Sequence, residues 1–173
     1  MRVSVIGGPG AGKTTFGRAL AERVDIPFVE LDAIVRRPGW TTLPAAAFRT
    51  EVEHAVRADA WVVDGSYAAV RDIVLGRATT VVWLDYPRWI VMPRVTRRSL
   101  RRLVTRQELW NGNRARLRSL VGPDHAIRAA WSRHESRRTE YAARLAGPEH
   151  AHVDVRRFSS PRTAAAWLDT VAG

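Results

Sequence analysis

Apolar residues fall along this chain in two alternating patterns. Val3 to Ile6 is a short continuous run, followed by a glycine-rich turn and then by Phe16, Leu20 and Val24 at i, i+4 and i+8. A short run followed by a helical period predicts a strand feeding an amphipathic helix. Pro27 to Leu31 predicts a second strand, and Ala33 to Leu43, broken by Pro38-Gly39, predicts a loop. Pro44 opens a helix with Phe48, Val52 and Val56 on one face. Trp61 to Asp64 and Thr79 to Leu84 are apolar runs with an acid at or just beyond their ends, the pattern of strands buried on both faces of a parallel sheet. Tyr67 to Leu75 between them predicts a short helix. Pro87 starts a long helix to about Arg106, and a second runs from about Ala126 to Leu145, stopped by Gly147-Pro148. His150 to Val155 predicts the last strand and Pro161 to Val171 the last helix. The alternation predicts an α/β fold: a five-stranded parallel sheet with helices on both faces, in one domain over residues 1–173.

Composition narrows the chemistry. The chain of 173 residues has no cysteine, which excludes disulfides, cysteine-held zinc, iron–sulfur clusters and thiol catalysis. Its apolar runs are far shorter than the roughly 20 residues a bilayer requires, and no signal-peptide core precedes the first glycines, so a soluble cytoplasmic protein is expected. The net charge of +11 is local: residues 88–138 hold 14 Arg against Glu108, Asp124 and Glu135, whereas the remainder is neutral. Such a concentration points to a site or surface facing a polyanion. Of the 28 basic residues 27 are Arg, and the single lysine is Lys13.

That lysine lies in Gly7-Gly8-Pro9-Gly10-Ala11-Gly12-Lys13-Thr14, which satisfies G-x-x-x-x-G-K-[ST] between a predicted strand and a predicted helix. The stretch Gly8, Pro9, Gly10, Ala11, Gly12, Lys13, Thr14 and Thr15 is therefore expected to cradle the phosphates of ATP. Backbone N–H groups converge on phosphate oxygens and the helix adds its positive end. Lys13 reaches the outer phosphates, and the Thr14 hydroxyl ligates magnesium. A compact ammonium suits a tight cradle better than a guanidinium.

Ligands gather at the carboxyl ends of parallel strands, so acids there are candidates for chemistry. Glu30 and Asp32, two apart on a strand, would share a face. One could hold a magnesium water while the other accepts the proton of an attacking hydroxyl. Asp64 and Asp85 both follow apolar strands, so periodicity leaves open which is the magnesium-side acid. Gly65 favours Asp64, because a residue without a side chain lets a ligand approach, and Asp85 could instead cap the helix near Pro87. The loop around Trp40, with Tyr67 and Arg71, would lie on the acceptor side, where aromatic and Arg groups suit a ring or an anion. Trp40 could equally anchor its loop. His150 and His152 alternate along the predicted last strand and could share a face, without a specific metal-ligand spacing.

Arg94, Arg97, Arg98, Arg101 and Arg102 recur at i, i+3, i+4, i+7 and i+8, predicting one helix face of like charge that needs an anion. A phosphoryl-transfer lid supplies one, with Leu109 to Arg114 as its tip and Arg133, Arg137 and Arg138 as a second cluster. A nucleic-acid backbone would satisfy the same stripe.

The phosphate loop, Glu30-Leu31-Asp32, Trp61-Val62-Val63-Asp64-Gly65-Ser66-Tyr67, Leu84-Asp85-Tyr86-Pro87 and the Arg-rich helix pair together resemble bacterial P-loop proteins of the adenylate-kinase-like group. Within it they look like the kinases labelled DNA topology modulation proteins. The resemblance implies a P-loop fold with an Arg-rich helical lid over residues 88–138. It implies an ATP- and magnesium-dependent kinase acting on a small-molecule or nucleotide acceptor, with a nucleic-acid-associated NTPase as the alternative. It implies Asp64 and Glu30 near magnesium, Asp32 and Gly65 on the acceptor side, and Arg94, Arg97 and Arg98 as lid arginines. Arg156 to Pro161, with Ser160, would flank the adenine. Adenylate kinases continue Asp-Gly with Phe-Pro-Arg where this chain has Ser66-Tyr67-Ala68, which argues against AMP as acceptor.

Overall fold

The computed structural model describes residues 1–105, 108–113 and 126–171. Five strands, β1 (Arg2–Gly7), β2 (Phe28–Glu30), β3 (Trp61–Asp64), β4 (Thr80–Leu84) and β5 (Asp154–Phe158), form one sheet in the order β2-β3-β1-β4-β5. Every pairing is parallel. The helices are α1 (Lys13–Arg23), α2 (Leu31–Val35), α3 (Ala45–Ala55), α4 (Arg71–Arg77), α5 (Arg88–Val104), α6 (Ala126–Ser132), α7 (His134–Leu145) and α8 (Pro161–Thr170). The expected five-stranded parallel α/β architecture is therefore the one observed. Among the described residues no helix is long and apolar enough to cross a membrane.

Alternation along β1 explains why both faces are covered. Val3 and Val5 pack with Phe16 and Leu20 of α1 and Ala164 of α8, while Ile6 turns to the other face against Leu75, Trp83 and Tyr141. A third apolar cluster holds Trp61 and Val63 against Val52 and Phe48 of α3 and Leu31 of α2. Burying whole valine and leucine side chains in this way contributes roughly 1.5–3 kcal/mol each. Because β1 lies between β3 and β4, the strand order reverses at its carboxyl end and opens a crevice there, the place where parallel sheets take ligands. The loop after β1 runs into that crevice.

Several boundaries differ from the sequence expectation. β2 ends at Glu30, and Leu31 opens α2, so Glu30 and Asp32 do not share a strand face. Leu31 is buried against the third cluster, and the turn it starts places Asp32 in the first turn of a helix, where the positive end favours an acid. The expected loop over 33–43 thus carries helical turns, at α2 and at Pro38–Trp40, and a single antiparallel bridge from Arg36 to Thr42. The helix expected over Tyr67 to Leu75 begins as a 3₁₀ turn, Ala68–Val70, and continues as α4. The basic helix expected from Ala126 to Leu145 is broken at Arg133 into α6 and α7. His134 is buried there, with Nε2 2.9 Å from the Tyr86 carbonyl, which pins the start of α7 to the end of β4. The last strand starts later than expected, because Pro148–His150 forms a 3₁₀ turn and pairing begins at Asp154. His150 and His152 consequently precede β5 and do not alternate along it. The expected end of the long helix at Arg106, the tip residue Arg114 and the acid Asp124 lie outside the described residues.

Asp85 does not cap α5, whose N-cap is Pro87. Its buried carboxylate accepts from Arg138 Nε at 2.7 Å on α7 and from Arg157 at 2.6 Å on β5. Burial pulls this carboxyl upward, but the two guanidinium hydrogen bonds outweigh it and hold it below its ordinary value of 3.8. Arg157 also lies over the Trp83 ring at 4.3 Å, so one acid ties α7, β4 and β5 together. Asp85→Asn should destabilise the fold by about 1–3 kcal/mol at neutral pH, the scale of hydrogen bonds to a charged group. The folded-state value is depressed, so the contribution is complete above the ordinary 3.8 and is lost as pH falls through the folded value. In chemical denaturation the gap between wild type and variant should close at acid pH; a gap unchanged from neutral pH to below 3.8 would contradict this.

Candidate active site

The loop after β1 turns through Gly8 to Gly12, and α1 begins at Lys13. Gly10 has φ +83°, and a Cβ there would stand 2.6 Å from the Val91 carbonyl, so only glycine lets the loop lie against α5. The first turn of α1 carries no acid and no side-chain cap, leaving its N–H groups and positive end available to an anion. Lys13 Nζ donates to the Gly8 carbonyl at 3.3 Å and is folded back over the loop.

The Thr14 hydroxyl donates to Asp64 Oδ2 at 2.5 Å. The contact follows from register: Asp64 ends β3 opposite Val5 of β1, beside the strand that feeds the loop. Asp64 is buried, and its Oδ1 has no hydrogen-bond partner among the described residues. Burial raises the Asp64 carboxyl above its ordinary value, against the opposing pull of Lys13 and Thr14. Desolvation lowers the Lys13 ammonium, assisted by Arg98 and Arg137 and opposed by Asp64 and Asp32. Of the two acids the sequence leaves open, Asp64 is the one that meets Thr14, whereas Asp85, which lines a small cavity with Gly8 and Pro9, is held by two arginines.

Beyond β3, at the start of α2, Asp32 accepts a short hydrogen bond from the Tyr67 hydroxyl at Oδ1. Tyr67 packs edge-on against Phe48 of α3 with ring centroids 5.4 Å apart. Burial, followed by the Asp32 charge, raises the phenol above its ordinary value. Glu30 is engaged elsewhere: Oε2 pairs with Arg18 at 3.2 Å, and Oε1 accepts from Trp110 Nε1 at 2.9 Å. Gly65 serves packing rather than open approach, because a Cβ there would meet Leu31 Cβ at 3.1 Å. Arg71 pairs with Glu140 at 3.2 Å and, with Ser66 and Tyr67, lines a small cavity beside Gly65.

The expected arginine face divides in two. Arg98 and Arg102 bear electrostatically on Asp32, and Arg98 also bears on Asp64; burial lowers both guanidinium groups. Arg94 lies over Tyr86, 5.9 Å from its ring centroid, and its guanidinium is 4.0 Å from where a Cβ on Gly12 would sit. Arg97 and Arg101, in contrast, line an outer groove of α5 with Met92, Leu100 and Val104. Arg97 is therefore not grouped with the phosphate loop, correcting its expected role. At about 3.6 residues per turn Arg98 and Arg102 fall on the side of the buried Val91 and Val95, Arg94 at its edge, and Arg101 and Arg97 farther round the helix. On β5, Arg156 pairs with Asp154 at 2.7 Å, and the Ser160 hydroxyl caps α8 by accepting from Thr163 N–H, with Pro161 in the first turn.

Sequence reasoning missed the contacts that fasten the tip, residues 109–113, across the acceptor side. Asn113 is buried; its Nδ2 donates to the carbonyls of Arg37 at 2.9 Å and Trp110 at 2.8 Å, and its Oδ1 accepts from Trp40 N–H at 2.7 Å. Asn111 donates to the carbonyls of Ala33 and Arg36. Arg102 lies 5.6 Å over the Trp110 ring, which connects the tip to the basic helix. The available signal was Trp-Asn-Gly-Asn itself: side-chain amides bond peptide groups in both directions, and asparagine tolerates the positive φ seen at Asn111. Trp40 thus meets the tip through its backbone, with its ring partly exposed.

Sequence comparison with known proteins finds its matches over less than a third of the chain. The shikimate kinase family matches over residues 9–58. Shikimate kinase of Thermobifida fusca (strain YX) is 46% identical over 54 residues, so the match spans 31% of this chain and 31% of that relative. Over the whole fold, shikimate kinase from Aquifex aeolicus vf5 superimposes with a TM-score of 0.55 at 15% identity, covering 99% of this chain and 93% of that one. A gluconokinase from Sinorhizobium meliloti 1021 gives 0.51 at 17% identity, covering 99% of this chain and 93% of that one. The matched segment runs through the phosphate loop, Glu30, Asp32 and Trp40.

Asn113→Ala would leave the Trp40 N–H and the Arg37 carbonyl without their partner, at about 1–3 kcal/mol locally. Amide exchange at Trp40 should accelerate by about tenfold or more, with little change at β1. Unchanged protection at Trp40 would show that the tip is not held this way.

Proposed function

We propose that this protein is an ATP- and magnesium-dependent phosphotransferase that moves the γ-phosphoryl group to a hydroxyl of a small-molecule acceptor. The observation that carries this reading is the Thr14–Asp64 contact beside Lys13, with Asp64 Oδ1 buried and unpartnered. A hydroxyl and a carboxylate oxygen are hard donors suited to magnesium, which takes few protein ligands and shares the rest with nucleotide phosphates. Magnesium, when bound, offsets the negative charge that gathers on the phosphate oxygens. We assign Thr14 and Asp64 to it, and we drop Glu30 from that set because Arg18 and Trp110 engage both of its oxygens.

The chain's own groups then divide the work. Backbone N–H groups of residues 8–15 and the start of α1 bind the phosphates, and Lys13 stabilises the transferred group as a point charge. Arg98 and Arg102, with Arg94 and Arg137, add cations around the same space; Arg137 is close enough to depress Lys13. Asp32 accepts the proton of the acceptor hydroxyl. A phosphate or carboxylate acceptor brings no proton at neutral pH and would be repelled by Asp32, which favours an alcohol over a nucleoside monophosphate. The match to shikimate kinases over the segment that holds Lys13 and Asp32 supports a small-molecule acceptor. Trp40, Tyr67 and Arg71 surround the acceptor space. The turn from β5 into α8, around Ser160, is our assignment for the adenine, on its place at the carboxyl edge of the sheet. A protein using ATP in this way would work in the cytoplasm. Arg94 beside Gly12 and Arg98 beside Lys13 favour the nucleotide over a nucleic-acid backbone as the anion they meet, and nothing observed supports the DNA topology modulation label.

Lys13→Ala should lower ATP turnover by at least about a hundredfold, the scale of losing a preorganised charge at the transferred group. The fold should persist, since among the described residues the hydrogen bond that Nζ makes is to the Gly8 carbonyl of its own loop. ADP release should rise with one or a few small alcohols in a metabolite panel. Full turnover in the lysine variant would overturn the proposal.

A further inference from the structure

Asp32 sits on α2, a helix of five residues. A single helical turn does not fix a carboxylate by itself, because the side chain keeps two rotatable bonds and can swing between staggered wells. What holds it is Tyr67, whose hydroxyl donates to Oδ1. The donor is rigidly supported: Tyr67 leads into the Ala68–Val70 turn, its carbonyl accepts from Val70 N–H at 3.2 Å, and its ring lies edge-on against the buried Phe48. Arg36 bears on the same phenol, and the Arg36 carbonyl is the one Asn111 grips from the tip. A chain of contacts therefore runs from the core through the phenol to the acid, and from the tip to the loop beside it.

We propose that Tyr67 is the positioning residue for Asp32. Its hydroxyl occupies Oδ1 and fixes the carboxylate so that Oδ2 alone faces the incoming hydroxyl. The inference rests on the phosphotransferase reading above and deepens it. In the step, the acceptor oxygen bonds to the γ-phosphorus, the bond from that phosphorus to the β,γ-bridging oxygen breaks and leaves ADP, and the acceptor proton passes to Asp32 Oδ2. Tyr67 keeps its own proton throughout, consistent with a phenol whose buried setting favours the neutral form. A further consequence is selectivity: a carboxylate with both oxygens open can grip two adjacent hydroxyls, whereas this one grips a single hydroxyl.

Steady-state hydrolysis of magnesium-ATP, with water as the acceptor, tests this without knowledge of the natural acceptor. Tyr67→Phe keeps the ring and its Phe48 contact and removes only the hydroxyl. It should lower kcat about tenfold with KM for ATP unchanged, and Asp32→Asn should lower kcat about a hundredfold. In the double variant the tyrosine change should add nothing further, because it acts only through the acid. Wild-type kcat in Tyr67→Phe, or a tenfold loss that persists in the Asp32→Asn background, would overturn the inference. A parallel fall in kcat and thermal stability, with a shifted KM for ATP, would do so as well. Lys13→Ala separates the two levels. If it is inactive while Tyr67→Phe is normal, only the positioning role fails. If it is as active as wild type, or if wild type releases no ADP either with water or with any alcohol of the panel, the phosphotransferase reading fails and takes this inference with it.

Discussion

The short hydrogen bond from Thr14 to Asp64 joins the first turn of α1 to the carboxyl end of β3, and the candidate site is organised around it. Three requirements must hold together for it to form. The strand order must place β3 beside β1, the loop must turn tightly enough to bring α1 back over the sheet, and a buried acid must have a cation near it. Lys13 meets the last requirement and gains from it, since desolvation alone would drive its ammonium toward neutrality. The outcome is a pair in which each charge opposes the desolvation of the other, with one carboxylate oxygen left over. A buried unpartnered oxygen carries a free-energy cost that a folded protein retains where something binds.

The arginine surplus acquires meaning from the same centre. Charge alone pointed equally to a nucleotide's phosphates and to a nucleic-acid backbone. The geometry of α5 separates the two, because Arg98 and Arg102 share the side of the buried Val91 and Val95 and bear on the acids of the site. Arg97 and Arg101 belong to an outer groove with Leu100 and Val104. A positive site holds several like charges at close range: burial lowers Arg98, Arg102 and Lys13, and neighbouring guanidinium groups lower Arg102 and Lys13 further.

Much of this was legible in the sequence, for identifiable reasons. The strand-loop-helix around Lys13 combines a fixed motif with a change of hydrophobic period, and both signals are local. The strands β1, β3 and β4 announce themselves because both of their faces are buried. The site's second half was harder. The sequence marks Asp32 as an acceptor-side acid but predicts it on a strand face, since a five-residue helix is too short to show a period. Arg97 was grouped with Arg98 because spacings of three and four look alike until the neighbouring elements show which side faces inward. The Asn113 contacts, the Tyr67–Asp32 bond and the arginine clamp on Asp85 join residues far apart in the chain, and no periodicity encodes such pairs. The break at Arg133 has the same origin, in a buried histidine meeting a strand-end carbonyl.

The central claim is that Thr14 and Asp64 form a magnesium-dependent phosphate site with Lys13. Calorimetric titration of a non-hydrolysable ATP analogue, with and without magnesium, on the wild type and on Asp64→Asn tests it most directly. The account predicts that magnesium tightens binding to the wild type by about tenfold or more, and that Asp64→Asn loses this gain while still binding the analogue. Binding to the wild type that is indifferent to magnesium, or a magnesium gain undiminished in the variant, would contradict it.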